Sequence, residues 1–418
     1  MCVVFLYVRT PKRPGEEAID CPYAAVVAVN RDESYTRDTA RLHWWPQDAT
    51  ADPRECARDW QILAGRDREG GGTWCGVSRD GRVAVLTNVA EASAKFATGE
   101  APSRGELPVA FLEASGHLSN FRDPAESIIR LIRPPEPPPN RPPTHSLRVP
   151  PTSQEKHPRR PPARWLADVA KTAHAYNGFN LIVGDSRTGE FAHLTNRGDS
   201  VDDSPDVGSP YVITRLDRDG RGTRCASGFV HGLSNAGLNT PWPKVRLGCE
   251  RFSREMERIV GSGVFVEDGV EKRLVGLAAK RSALPTALIT RVLQNPGGDV
   301  DAWGSKGWYS RSYWGDGHEL NPPPSLDRSE RAFVKPGAVL DRPEYGTRCS
   351  TAITMRGDSP AGEITVVECS LEWNDKKEWV ETAVAFDRVP PPIVPGDPNA
   401  GRREPDGTFL DTALDDGW

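Results

Sequence analysis

Ala24-Ala25-Val26-Val27-Ala28-Val29-Asn30-Arg31-Asp32-Glu33 is the stretch on which the fold turns. An unbroken run of small or β-branched apolar residues is followed at once by a polar and charged block. A short continuous apolar run of this kind reads as a strand buried on both faces. The Asn-Arg-Asp-Glu block is then expected at or just past the strand's end, facing a cavity. Upstream, Val3-Val4-Phe5-Leu6-Tyr7-Val8 is a second strand of the same kind, with Cys2 at its tip. The segment 10–22 between them is punctuated by Pro and Gly, so the pair reads as a hairpin with a long loop. A thiol on one strand, with carboxylates and a guanidinium on the next, makes a candidate site.

The remaining composition sets limits on that site's setting. The chain has 418 residues, 37% of them apolar, with 38 Pro and 39 Gly, so much of it must be turn, loop or linker. A net charge of −5 argues against the concentrated basic face of a dedicated nucleic-acid binder. No run approaches the roughly 18 apolar residues of a membrane span. The apolar run 3–8 is met at once by Arg9, Lys12 and Arg13, too short and wrongly flanked for a secretory signal. A cytoplasmic protein with reduced thiols is expected. None of the eight cysteines forms a C-x-x-C pair or sits near histidines at zinc spacing, so no metal site is expected.

Further strands are expected at 73–77, at 82–88 after the Asp80-Gly81 turn, at 179–184 and at 190–195, and 229–235 reads as a short apolar-to-polar stretch. The late ones are expected at 334–340, 347–355, 362–369 and 379–386. Helices are expected at 107–114, 124–132, 163–176 and 245–260, with helical turns over 271–294 interrupted by Pro285. Glu33 to Glu55, with Trp44-Trp45-Pro46, reads as an irregular loop over the core. The Gly70-Gly71-Gly72 run reads as a turn, since the Lys-Ser/Thr ending of a phosphate loop is missing. Segments 134–162 (Pro-rich), 199–226 and 297–327 read as insertions into one domain of residues 1–387, and 388–418 as a disordered tail.

The segments Met1-Cys2, Asn30-Arg31-Asp32-Glu33, Gly71-Gly72-Thr73-Trp74, Leu86-Thr87-Asn88, Ser103-Arg104-Gly105, Tyr176-Asn177-Gly178-Phe179-Asn180-Leu181, Gly232-Leu233-Ser234-Asn235, Pro241-Trp242-Pro243-Lys244-Val245 and Tyr345-Gly346-Thr347-Arg348 stand in this order. Together they resemble the transport and Golgi organisation protein 2 family, named for its Asn-Arg-Asp-Glu (NRDE) domain. The resemblance implies Golgi organisation and protein secretion, and intracellular handling of haem or acyl lipid, at cytoplasmic, Golgi or mitochondrial locations. It brings no agreed catalytic activity. It implies a small-molecule or lipid ligand bound in a cleft near the N-terminus, with Asn30, Arg31, Trp74 and Trp242 as ligand-binding residues. The Pro-rich insertion is a candidate surface for a protein partner.

A more distant resemblance is to N-terminal nucleophile hydrolases of the bile salt hydrolase and penicillin V acylase branch. It implies a four-layer αββα sandwich of antiparallel sheets, an α+β fold, and a C–N amide hydrolase whose nucleophile is the first residue of the mature chain. Cys2 is small enough for Met1 to be removed ahead of it. A free α-amine titrates near ~8 and a thiol near ~8.5, so the amine can serve as base for its own side chain. The resemblance places Asn88 and Asn235 as amide donors to the oxyanion, Asp32 near the amine, and Arg348 as a late strand arginine. The arginine those enzymes carry three positions before the acid falls here at Val29, with Arg31 open as a substitute. If strand alternation continues, Arg31 and Glu33 face away from Asp32, which favours Asp32 for the site.

Each of these residues has a structural alternative. Asn88 and Asn235 suit strand ends and turns, Arg31 and Asp32 can satisfy each other, and Cys2 can pack as a small apolar group. No cofactor is required for the hydrolytic chemistry. Haem as a cargo rests on Cys21-Pro22 with His231 or His174 as second ligand, and loop geometry explains that dipeptide as well.

Overall fold

Strands β1 (Val3–Arg9) and β2 (Tyr23–Ser34) pair antiparallel, with Val3 opposite Asn30 and Val8 opposite Ala25. The computed structural model describes residues 2–10, 21–45, 62–89, 101–113, 160–197, 212–218, 220–226, 228–240, 242–261, 283–293, 345–357, 362–372 and 378–388. The strand formed by the opening stretch is longer than its apolar run. Asn30, Arg31 and Asp32 are buried within β2 rather than lying past its end. They hold there because β12 (Tyr345–Arg356) runs beside β2 along its whole length and supplies the ladder that a charged block alone would not sustain.

β1 and β2 lie at the centre of a seven-stranded sheet in the order β10-β11-β1-β2-β12-β13-β14, with β10 (Thr223–Cys225), β11 (Gly228–Leu233), β13 (Glu363–Glu372) and β14 (Glu378–Asp387). A second seven-stranded sheet runs in plain sequence order from β3 to β9. It contains β3 (Thr39–Trp45), β4 (Ile62–Asp67), β5 (Cys75–Ser78), β6 (Arg82–Asn88), β7 (Phe179–Asp185), β8 (Glu190–Thr195) and β9 (Val212–Arg215). All the pairings are antiparallel.

Side-chain alternation sorts the apolar residues into three cores. Val4, Leu6, Val8, Val27 and Val29 of the first sheet pack with Leu63, Val77, Val83, Val85 and Phe191 of the second. The other face of the first sheet, through Val3, Phe5, Tyr7, Val26 and Ala28, packs on α3 (Pro243–Gly261) and α4 (Ala283–Leu288, continued by a π turn Ile289–Leu293). The outer face of the second sheet packs on α1 (Glu106–Glu113) and α2 (Pro162–Ala170). Helix α3 lies very close to the first sheet: a Cβ on Gly248 would fall 2.0 Å from the Phe5 ring.

Three expectations are corrected. The supposed loop after β2 contains β3, and the supposed insertion 199–226 contains β9 and β10, one edge strand for each sheet. Edge strands this short and polar carry no alternation to betray them. The helix expected at 163–176 ends at Ala170, and a 3₁₀ turn follows at Ala173–Ala175. The helix expected at 124–132, the strand at 334–340, the insertion 297–327, the tail beyond 388 and nearly all of the Pro-rich segment lie outside the described residues. Among the described residues, no helix is long and apolar enough to cross a membrane.

Candidate functional site

One more step of the β1–β2 ladder beyond Val3–Asn30 sets Cys2 across from Arg31. Even positions of β1 and odd positions of β2 face the second sheet, so the two side chains share the inter-sheet face. Arg31 thus joins Asp32 at the thiol, and of the two charges that of Asp32 acts on Cys2 the more strongly. Arg31 is 4% exposed. Its guanidinium stacks 4.3 Å over the Trp74 ring and donates to Asp67 Oδ2 at 3.1 Å and Thr39 Oγ1 at 3.3 Å. Arg37 Nε reaches the same Asp67 oxygen at 2.7 Å. Burial works to raise the Asp67 pKa, but the hydrogen bonds from Arg37 and Gly70 N–H and the two guanidinium charges outweigh it and hold the carboxyl below its ordinary value.

Asp32 serves the site from the backbone and by its charge. Its N–H donates to the Cys2 sulfur, and its Oδ1 accepts from Thr347 Oγ1 at 2.6 Å. Tyr345 Oη donates to Asp32 O at 3.0 Å, so the Tyr-Gly-Thr-Arg segment clamps the end of β2. Burial pushes the Cys2 thiol up. The positive chain terminus, the Asp32 N–H and Arg31 pull it down, and the Asp32 charge pushes it further up, with a net rise. Asn30 faces the other way. Its Nδ2 donates to Leu293 O at 3.0 Å and its Oδ1 accepts from Ser350 Oγ at 2.6 Å, so it joins strands to helix rather than lining the cleft.

The chain just after β11 holds residue 2 from behind. Ser234 Oγ donates to Cys2 O at 2.7 Å. Thr87 Oγ1 donates to Ser234 O at 2.8 Å, and Asn180 Nδ2 donates to Ala236 O at 2.9 Å and to Thr87 Oγ1 at 3.3 Å. Asn180 Oδ1 lies 3.2 Å from His193 Nε2. Burial, with His231 close by, lowers the His193 pKa to about 3, so the ring is neutral. Asn235 Nδ2 donates to Asn88 O at 2.6 Å, while the Asn88 side chain is exposed at the end of β6. These contacts explain why polar residues interrupt apolar strands in Leu-Thr-Asn, Phe-Asn-Leu and Leu-Ser-Asn. Thr87, Asn180 and Ser234 were readable there as buried polar groups needing partners.

The remaining expected residues are scattered. Arg348 lies where the β2–β12 register shifts between Thr347 and Cys349, and its Nη1 donates to the carbonyls of Ser34 at 3.0 Å and Tyr35 at 2.8 Å. Trp242 packs against the helix-side core with Lys244 over its ring, apart from Trp74. Cys21 also belongs to the helix-side core, whereas His231 sits on the inter-sheet side with Nε2 3.3 Å from Leu216 O. The sheet therefore stands between Cys21 and His231, while His174, the alternative second ligand, lies in the 3₁₀ turn Ala173–Ala175. Among the described residues no cluster could hold a metal ion. Glu368, unremarked in the sequence, crosses between the sheets: it accepts from Leu42 N–H at 2.8 Å, Ser370 Oγ at 2.8 Å and Thr351 Oγ1 at 3.1 Å.

The fold and site define an antiparallel two-sheet α+β protein in which a buried carboxylate and a buried guanidinium of β2 act on the thiol of residue 2. The transport and Golgi organisation 2 pattern matches residues 1–372, and the chain belongs to that family. It is 26% identical to the Transport and Golgi organization protein 2 homolog of Bos taurus and to that of Homo sapiens, over 92% of this chain and 99% of each relative. Penicillin V acylase from Agrobacterium tumefaciens overlays with 13% identity, 87% of this chain, 82% of that one and a TM-score of 0.28. The Caenorhabditis elegans orthologue of N-acylethanolamine-hydrolyzing acid amidase gives 9%, 62%, 79% and 0.28. At those scores the overlays add nothing to the fold described above.

Proposed function

We propose that this chain carries out the Golgi-organisation role of its relatives' names through chemistry on a small acyl compound at Cys2. The observation that carries the reading is what surrounds the thiol at the head of β1: the Asp32 N–H at its sulfur, with the charges of the buried Asp32 and Arg31 of β2 acting on it. The three apolar cores support arranging helices and sheets as the four-layer αββα sandwich in which an N-terminal nucleophile would work.

Removal of Met1 frees the α-amine of Cys2. The amine takes the thiol proton, and the sulfur attacks the acyl carbon of an amide or thioester. Arg31 and the Asp32 N–H offset part of the burial that disfavours the thiolate. Asn88 supplies the amide donor to the oxyanion, and Asn235 positions it by gripping its carbonyl. The carbon–leaving-group bond breaks as the ammonium returns its proton to the leaving group, and water then releases the acid and restores the thiol. A Cys2→Ala protein, compared with the wild type over a panel of N-acyl amides and acyl thioesters, is expected to lose turnover entirely. Equal turnover in both would exclude Cys2 as nucleophile.

A second reading has a specific observation behind it. Burial raises the Cys2 thiol in the chain that retains Met1, which favours a cleft that binds an acyl ligand without cleaving it. Saturable binding of a panel compound with no turnover in either protein is the outcome that reading requires.

A further inference from the structure

A cavity of about 550 Å³ opens between β3 and the β12–β13–β14 side of the first sheet, and Trp74 lines it from the Arg31 side. Its lining carries three guanidiniums, Arg41, Arg68 and Arg348, against the single carboxylate of Glu372. That excess of positive charge stands in a chain whose net charge is −5. The three cations are not equivalent. Arg41 pairs with Glu372 at 3.3 Å and Arg68 with Asp38 at 3.6 Å, both at exposed positions where an ion pair contributes little.

Arg348 is different. It is half-buried, its Nη1 is fixed by two backbone carbonyls, and among the described residues no carboxylate pairs with it. Burial and the nearby charge of Arg31 lower its pKa and outweigh the charges of Glu33 and Asp38, which raise it. The β2–β12 register shifts at this point, so Arg348 has no partner in the β2 ladder. Trp74 adds an independent observation: its Nε1–H is buried and has no acceptor among the described residues.

We propose that this cavity binds a ligand with an oxyanion head, carboxylate or phosphate, on an apolar body. Arg348 holds the head, Arg41 and Arg68 attract it at the rim, and Leu42 and Trp74 bound the space for the body. A planar guanidinium held in place presents a fork that matches either oxyanion. Arg348 is thereby an anchoring residue rather than the cation that serves the thiol, a place Arg31 occupies. The site stands whether or not Cys2 reacts; if Cys2 does, the cavity selects acyl compounds that carry a negative charge.

The test is calorimetric titration of the full-length protein with octanoate, octyl phosphate and inorganic phosphate, at low and high salt. One saturable site per chain for octanoate or octyl phosphate is expected, weaker at high salt, and the preferred probe identifies the head group. Inorganic phosphate is expected to bind more weakly than octyl phosphate. Arg348→Gln should weaken binding by about tenfold or more, the worth of a charge-assisted pair. Thr382→Phe, which fills the cavity from the edge strand and leaves the Arg348 contacts alone, should abolish it. Absence of saturable binding of any probe at millimolar concentration, or wild-type affinity in a folded Thr382→Phe protein, overturns the proposal. Neither readout depends on turnover, so failure here and failure at Cys2 are separate results.

Discussion

Arg31 shows how much one residue's facing direction decides. The sequence places it in a charged block, and strand alternation says only that Asp32 and Arg31 face opposite ways. The structure puts Arg31 on the face toward the second sheet, over Trp74, and pairing register is a tertiary fact that no local pattern contains. His193 makes the same point for the second sheet. Its native pKa of about 3 lies below the ordinary 6.5, so the unfolded chain takes up a proton that the native ring refuses. Stability from this group is fully present above pH 6.5 and is lost as the pH falls, by about 1.4 kcal/mol per unit until the native value is reached. Urea unfolding of wild type and His193→Gln at pH 7, 5.5 and 4.5 measures this. The variant is expected to lose less stability per pH unit on the acid side, and parallel pH dependences would contradict the assignment.

At the scale of elements, motifs far apart in sequence turn out to be single joints. Gly72 presses against Gly105, where a Cβ would fall 2.2 Å from the Gly105 carbonyl carbon, and Thr73 N–H donates to Gly105 O at 3.0 Å. Gly71 beside it has φ +75°, a turn conformation that favours glycine. The triple-glycine run is therefore a packed joint between the loop before β5 and the start of α1, rather than the plain turn the sequence suggested. Gly72→Ala is expected to cost about 1–3 kcal/mol in chemical denaturation, the range for forced overpacking. A loss below about 0.5 kcal/mol would mean the joint is slack. Strands β1, β2, β6, β7 and β8 were legible because each is an apolar run long enough to bury. β9 and β10 were not, since three or four residues at an edge need no pattern of their own.

Across the whole molecule, the family pattern, the two sheets and the polar network behind Cys2 converge on the first residues of the chain. Ser234, Thr87, Asn180 and His193 form a buried chain of hydrogen bonds from the second sheet to the Cys2 carbonyl. Polar groups this deep are expensive unless satisfied, and here they fix the backbone of residue 2. The candidate site was legible in the sequence as a set of residues but not as a geometry. Asp32 and Arg31 both act on the Cys2 thiol, Asn30 and Trp242 belong to the helix side, and Arg348 lines the neighbouring cavity. The central claim, that Cys2 works as an N-terminal residue, is tested most directly by the intact mass of protein purified from cells. The mass expected is that of the chain without Met1; retention of Met1 throughout the population would block the amine and contradict it.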